Sequence, residues 1–207
     1  MLTKIKAQSG QGLLELIIAI GVIAVGLFAV WTLFLSNFFN EQQSGNRIIA
    51  GNLAREGIEA VKNIRDSNWL KMDNNSSTVV WDSGLPAGQV VVTNLIAPLS
   101  SLDESIALVP LSVDNDKLYY DSTGYFNNLA SATSSPYRRD ITIKLICCHD
   151  GDSDLQCDDN QFEVQDSPTC QGTKLLKIGL DVESKVSWFL NNKIDQSVIH
   201  EQLFNWR

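Results

Sequence analysis

The distribution of apolar positions divides the chain into three regimes. From Leu16 to Leu35, twenty consecutive residues carry Thr32 as the only clearly polar one. At about 1.5 Å per residue, a helix of that length spans roughly the 30 Å hydrocarbon core of a bilayer. From Arg47 to Trp69 the spacing becomes amphipathic. Ile49, Leu53, Ala54, Gly57, Ile58, Val61 and Ile64 recur at threes and fours, while Arg55, Glu56, Glu59, Lys62 and Asp66 fall largely elsewhere. No proline precedes Pro86, so a single helix is predicted from about residue 12 to 66, apolar all round and then one-sided. Arg55 and Glu59, four apart, can pair on its exposed side. Gly45, Gly51 and Gly57 each cost about 1 kcal/mol against alanine, which predicts local softness near Ser44–Gly45.

The turn-rich stretch "DSNWLKMDNNSSTVVWDSGLPAGQ" is expected to end the helix. The third regime follows it, with short alternating or β-branched runs predicting strands at Gln89–Leu95, Ile106–Val113, Asp140–Cys148, Leu175–Phe189 and Ile194–Phe204. In "RRDITIKLICC", Ile141, Ile143 and Leu145 alternate with Thr142, Lys144 and Ile146. "NNK" at 191–193 reads as the turn of a hairpin. The fold class is therefore α+β, with a long N-terminal helix packed on a C-terminal antiparallel sheet.

A signal peptide is the competing reading of the apolar run. Its apolar region is usually about 7–15 residues and closes on a small-x-small cleavage site, which "LFLSNFFNEQQ" lacks. A retained membrane helix is the better fit. Lys4 and Lys6 precede it and no lysine or arginine follows until Arg47. The positive-inside bias then places the N-terminus in the cytoplasm and the bulk of the chain outside. A net charge of −8 argues against nucleic acid as a direct partner, because phosphate neutralisation needs clustered cations.

Four cysteines, Cys147, Cys148, Cys157 and Cys170, are clustered near the end of the chain. In an exported domain an even, clustered count reads as disulfides, with three connectivities open. Adjacent Cys147 and Cys148 point to opposite faces if they lie on a strand, so each is expected to reach a different partner.

Glu15 is the residue that the apolar pattern does not explain. A carboxylate in the apolar zone costs about 2.5–3.5 kcal/mol and calls for a partner. The plain readings are interfacial depth, or the positive end of the helix dipole at about 0.3–1 kcal/mol. Its surroundings add a third. A short basic leader ends in Gly10, Glu15 follows five residues later, and about twenty apolar residues come next. This arrangement resembles the type IV prepilin family, which includes pilins and the pseudopilins of type II secretion and competence systems.

The resemblance implies that a prepilin peptidase cuts after Gly10 and that the new terminal amine, on Gln11, is methylated. Glu15, now fifth, would pair with the amine of a neighbouring subunit during filament growth. The family usually has Phe or Met where this chain has Gln11, and "FTLIE"-like residues where it has "QGLLE". A cut after Gly12 would leave Glu15 third, whereas the cut after Gly10 keeps it fifth. The missing mid-helix proline points to a minor pilin or pseudopilin.

The implied organisation is a leader at 1–10, a transmembrane and filament-core helix at 11–38, its amphipathic continuation at 39–68, and an extracytoplasmic β-rich domain at 69–207. The partners implied are other pilin subunits, the prepilin peptidase, the membrane platform of the assembly machine and, before assembly, the cytoplasmic membrane. The destination is a cell-surface or periplasmic filament. A single-pass anchored extracellular binding domain that does not polymerise is the alternative.

The remaining constellations are weaker. Asp150, Asp152 and Asp154 alternate as in an EF-hand, but Leu155 and Gln161 stand where the turn glycine and bidentate glutamate belong. A solvated acidic loop at 150–159 is expected, with calcium held by another geometry as the alternative. His149 beside the cysteines suggests zinc, yet adjacent cysteines fit a zinc site poorly and no metal is expected. No cofactor motif is present. Asp195, Ser197 and His200 alternate on a predicted strand rather than form a triad, so no enzymatic activity is expected. Trp69, Trp81, Trp188 and Trp206 are expected in core or helix–sheet contacts.

Overall fold

A computed structural model describes residues 11–74, 78–93, 106–122, 124–128, 133–149, 157, 162–172, 175–190 and 192–205. The chain divides into two units, Met1–Asn46 and Arg47–Arg207. One helix, α1 (Gln11–Asp73), supplies the described part of the first unit and opens the second. It runs past the predicted end at residue 66 because tertiary contacts hold its last turns. Trp69 is buried, and Asn68 donates from Nδ2 to the carbonyl oxygens of Trp81 (3.1 Å) and Ser83 (2.7 Å). Those bonds satisfy a turn backbone that would otherwise be buried without partners. The pairing expected between Arg55 and Glu59 is replaced: Glu59 meets Lys62 at 3.2 Å, and Arg55 reaches Asn52 Oδ1.

The second unit holds an antiparallel sheet of β1 (Gly88–Thr93), β2 (Ala107–Pro110), β3 (Lys117–Tyr120), β4 (Phe126–Asn127), β5 (Thr133–His149), β6 (Phe162–Gln165), β7 (Leu175–Leu190) and β8 (Lys193–Phe204). Strand β5 is its spine. Along one side it pairs with β7 from Tyr137↔Trp188 to His149↔Leu175. Its other side is shared by three short strands in succession: β3, then β1, then β6. β7 in turn pairs with β8 from Gly179↔Phe204 to Leu190↔Lys193.

Strand alternation gives the sheet two unlike faces. Tyr137, Ile141, Ile143 and Leu145 of β5, with Leu180, Val182, Val186 and Trp188 of β7, join Ala50, Leu53, Ala54, Ile58 and Val61 of α1 in two adjoining apolar clusters. The other face is mixed, carrying exposed Phe189, Ile194 and Val198 beside Lys185 on Asp140 at 3.0 Å and His200 Nε2 against Asp181 Oδ2 at 3.0 Å. Asp140 and Asp181 are themselves buried, while Lys185 and His200 reach toward solvent, so solvent screens these pairs only in part.

Gly57 sets the distance between helix and sheet. A Cβ at this position would lie 2.5 Å from Ser184 Oγ, 3.3 Å from Ile141 Cδ1 and 3.4 Å from Arg139 Cδ. Its neighbour across the interface is Arg139, only 2% exposed. The Arg139 guanidinium donates to the Leu53 carbonyl at 3.2 Å and meets Glu56 Oε2 at 3.3 Å. Burial lowers the Arg139 pKa, and Glu56 opposes that shift. Burial likewise raises Glu56 above its ordinary 4.5, with Arg139 pulling the other way.

The sign for Glu56 follows from linkage. A carboxyl whose folded pKa lies above its unfolded value binds protons more tightly when folded, so its contribution to stability falls as pH rises from about 4.5. Glu56→Gln is therefore expected to flatten the loss of stability between about pH 4.5 and neutrality. Urea unfolding of both proteins across that range checks it, and parallel pH profiles would refute it.

Candidate functional site

The site singled out by the sequence is the first half of α1. Its large apolar side chains from Leu16 to Phe34 are all between 57% and 72% exposed, with no face turned inward. A soluble helix buries one stripe; a helix apolar on every side requires an apolar surround. Thr32, the one clearly polar side chain in the run, donates its hydroxyl to the Ala29 carbonyl at 2.8 Å, so its hydrogen-bonding need is met within the helix. Trp31 and Phe34 stack near the far end, with ring centroids 6.3 Å apart. Aromatic rings at the end of a span suit the depth of lipid headgroups. The chain thus has one N-terminal helix long and apolar enough to span a membrane.

Helix α1 is described from Gln11 onward, and Gly10 lies outside the described residues. Glu15 stands within the described helix. Residues three, four and seven positions apart share a helix face, so Glu15 falls on the face of Gly12, Ala19 and Val22. Two of these residues are small and the third is β-branched, which lets another helix backbone come close. Glu15 is exposed and has no partner among the described residues of its own chain. A carboxylate at this place needs a cation that the described chain does not provide.

The cysteines form two disulfides, Cys147–Cys170 and Cys148–Cys157. Alternation along β5 sends Cys147 into the core beneath α1 and Cys148 to the opposite face. With both sulfurs of the adjacent pair in disulfides, neither is a thiolate for a metal, and His149 lies exposed at the end of β5. Asp150, Asp152 and Asp154, with the rest of the acidic loop apart from Cys157, lie outside the described residues, as does Trp206.

Asp195, Ser197 and His200 of β8 are not brought together. His200 lies with Asp181 on the face away from α1, whereas Ser197 and Asp195 alternate onto the helix side. Trp69, Trp81 and Trp188 are buried. Sequence reasoning passed over Arg139, although the signal was present: it is in phase with Ile141, Ile143 and Leu145 and so belongs to the buried face. Compared with protein-family models, with characterised proteins and with solved structures, the chain has no match in any of the three.

Proposed function

We propose that this chain is a structural subunit of a type IV pilus-like or type II secretion-like filament, a minor pilin or pseudopilin. It is processed by a prepilin peptidase after Gly10 and assembled through its N-terminal helix. The observation that carries the reading is a lone carboxylate, Glu15, five residues past Gly10 and at the head of a helix whose apolar surface is exposed on every side. Before assembly that surface lies in the cytoplasmic membrane, with residues 1–10 inside and the β-rich domain outside. On assembly it passes to a bundle of like helices, where close packing takes the place of lipid. The freed amine of Gln11 on a neighbouring chain, methylated or not, is the cation that meets Glu15. Contacts of this head-to-tail kind do not close, so they build a filament rather than a ring. The chain does no chemistry of its own and is the substrate of the peptidase.

Co-expression with a prepilin peptidase, read by mass spectrometry of the N-terminus, tests this directly. Loss of residues 1–10 is the expected result, and an intact Met1 start would leave the anchored, non-polymerising domain as the better reading. In the same experiment Glu15→Ala should be cut normally yet enter filaments poorly, and normal incorporation would remove the proposed charge pairing.

A further inference from the structure

Strand β8 forms a long edge of the sheet. Its twelve residues pair with β7 in unbroken register, and among the described residues nothing pairs with its outer side. Which backbone groups face outward is fixed by the hairpin. Asn205 donates its N–H to the Ile178 carbonyl, and Leu190↔Lys193 closes the turn, where Asn192 has φ 64°. In an antiparallel ladder successive residues alternate in direction. The odd-numbered residues of β8 therefore bond to β7, and Ile194, Gln196, Val198, His200 and Gln202 point their N–H and C=O groups away from the sheet. Natural edges are commonly blunted by proline, a bulge or a lysine near the middle, and β8 has none of these. Its charges are Lys193 at the start, with Asp195 and Glu201 further along; Glu201 also meets Lys62 of α1 at 2.7 Å, so a lysine of a second copy would join that pair rather than replace it.

Those charges identify what fits the edge. We infer that β8 pairs antiparallel with β8 of a second copy of this chain, about a two-fold axis at Ser197. In that register Lys193 of each copy lies opposite Glu201 of the other. Odd positions are the non-hydrogen-bonded pairs across the new junction, where side chains come closest. Moving the axis to Val198 sets Asp195 against Glu201 twice, and moving it to Ile199 sets Asp195 against Leu203. The axis at Ser197 alone among these three joins opposite charges. About eight new backbone hydrogen bonds then run through Ile194, Gln196, Val198 and His200. The contact is isologous and closed, so it is distinct from the head-to-tail contacts of a filament and does not depend on them.

The test uses the full chain in detergent. Across a non-hydrogen-bonded pair the Cα atoms are about 4.5 Å apart, within disulfide reach. Ser197→Cys should therefore give an oxidised dimer, and Gln196→Cys, which faces Val198 of the other copy, should not. Lys193→Glu turns both cross-strand pairs repulsive at an exposed position. It should weaken the dimer about tenfold by sedimentation, whereas Lys193→Arg, which keeps the charge and leaves the Glu201–Lys62 pair within the chain untouched, should not. A monomeric wild-type chain, cross-linking that ignores position, or a dimer indifferent to Lys193→Glu (one held by the apolar helix instead) would each overturn the inference.

Discussion

Gly57→Leu is expected to be the most damaging single substitution in the β-rich unit, lowering its stability by about 3 kcal/mol or more. The cause is space. Even the first added carbon would sit 2.5 Å from Ser184 Oγ, with Ile141 and Arg139 at 3.3 and 3.4 Å behind it. Ser184 is wholly buried, so its hydroxyl has little room to turn aside. Overpacking a dense interior usually costs about 1–3 kcal/mol, and a leucine here also pushes α1 off the buried Arg139 and its bonds to Leu53 and Glu56. For a unit of this size that is a fall in Tm of about 6–12 °C, readable in near-ultraviolet circular dichroism from the buried tryptophans. Gly51 is the control on the same helix, since a Cβ there would meet only Ser197 Oγ, at 3.9 Å. Gly51→Ala should gain about 0.5–1 kcal/mol from helix propensity. A Gly57→Leu protein within about 0.5 kcal/mol of wild type would show that the helix does not rest on this position.

The second large effect is expected from the disulfides, and it should be unequal. Cys147–Cys170 closes the longer loop, with a sequence separation of 23 against 9 for Cys148–Cys157. Chain entropy alone then assigns roughly 3.5 kcal/mol to the first and roughly 2.7 kcal/mol to the second. Cys147 also belongs to the apolar cluster beneath α1, so removing its sulfur loosens that core, whereas Cys148, though equally buried, lies outside the cluster. Replacing Cys147 and Cys170 with alanine should therefore cost more than replacing Cys148 and Cys157. Urea unfolding of the two double variants measures the order. Equal losses, or the reverse order, would mean that the longer loop is already ordered when unfolded.

Much of the architecture was legible because it rests on period. The two final strands were predicted at Leu175–Phe189 and Ile194–Phe204 and are found at Leu175–Leu190 and Lys193–Phe204, since β-branched alternation on a half-buried surface is the strongest strand signal. Length and apolarity alone identified the helix that can span a membrane. What was hidden depends on partners remote in sequence. The first part of β5, "TSSPYRR", lies before the strand predicted from Asp140 and carries a proline, yet it is strand. The register of β3 on β5 shifts between Lys117 and Tyr119, and Pro136 falls in the gap, where no ladder donor is asked of it. β3, β4 and β6 have four residues or fewer, too short for any period to show. Asp73 could not be foreseen as the helix end, because Asn68 is held by a turn thirteen residues later. For the candidate site the balance was reversed: Gly10, Glu15 and the apolar run are features of spacing, visible before any coordinate, whereas the buried Arg139 becomes evident only once its strand is known to face the helix.

The central place of β5 has a consequence for the order in which the protein can form. The apolar stripe of α1 between Ala50 and Trp69 leaves the ribosome early, and Trp81, Leu85 and β1 follow soon after, but most of the side chains that cover it come from β5, β7 and β8 and reach as far as Leu203. Nor can β1 or β3 dock before β5 exists, since each uses it as a template. Nearly the whole chain must therefore be made before the helix finds its partners, and closing such distant contacts is slow. During synthesis the second half of α1 is an amphipathic helix with nothing to lie on, and it is the C-terminal hairpin of β7 and β8, completed last, that releases it from that state.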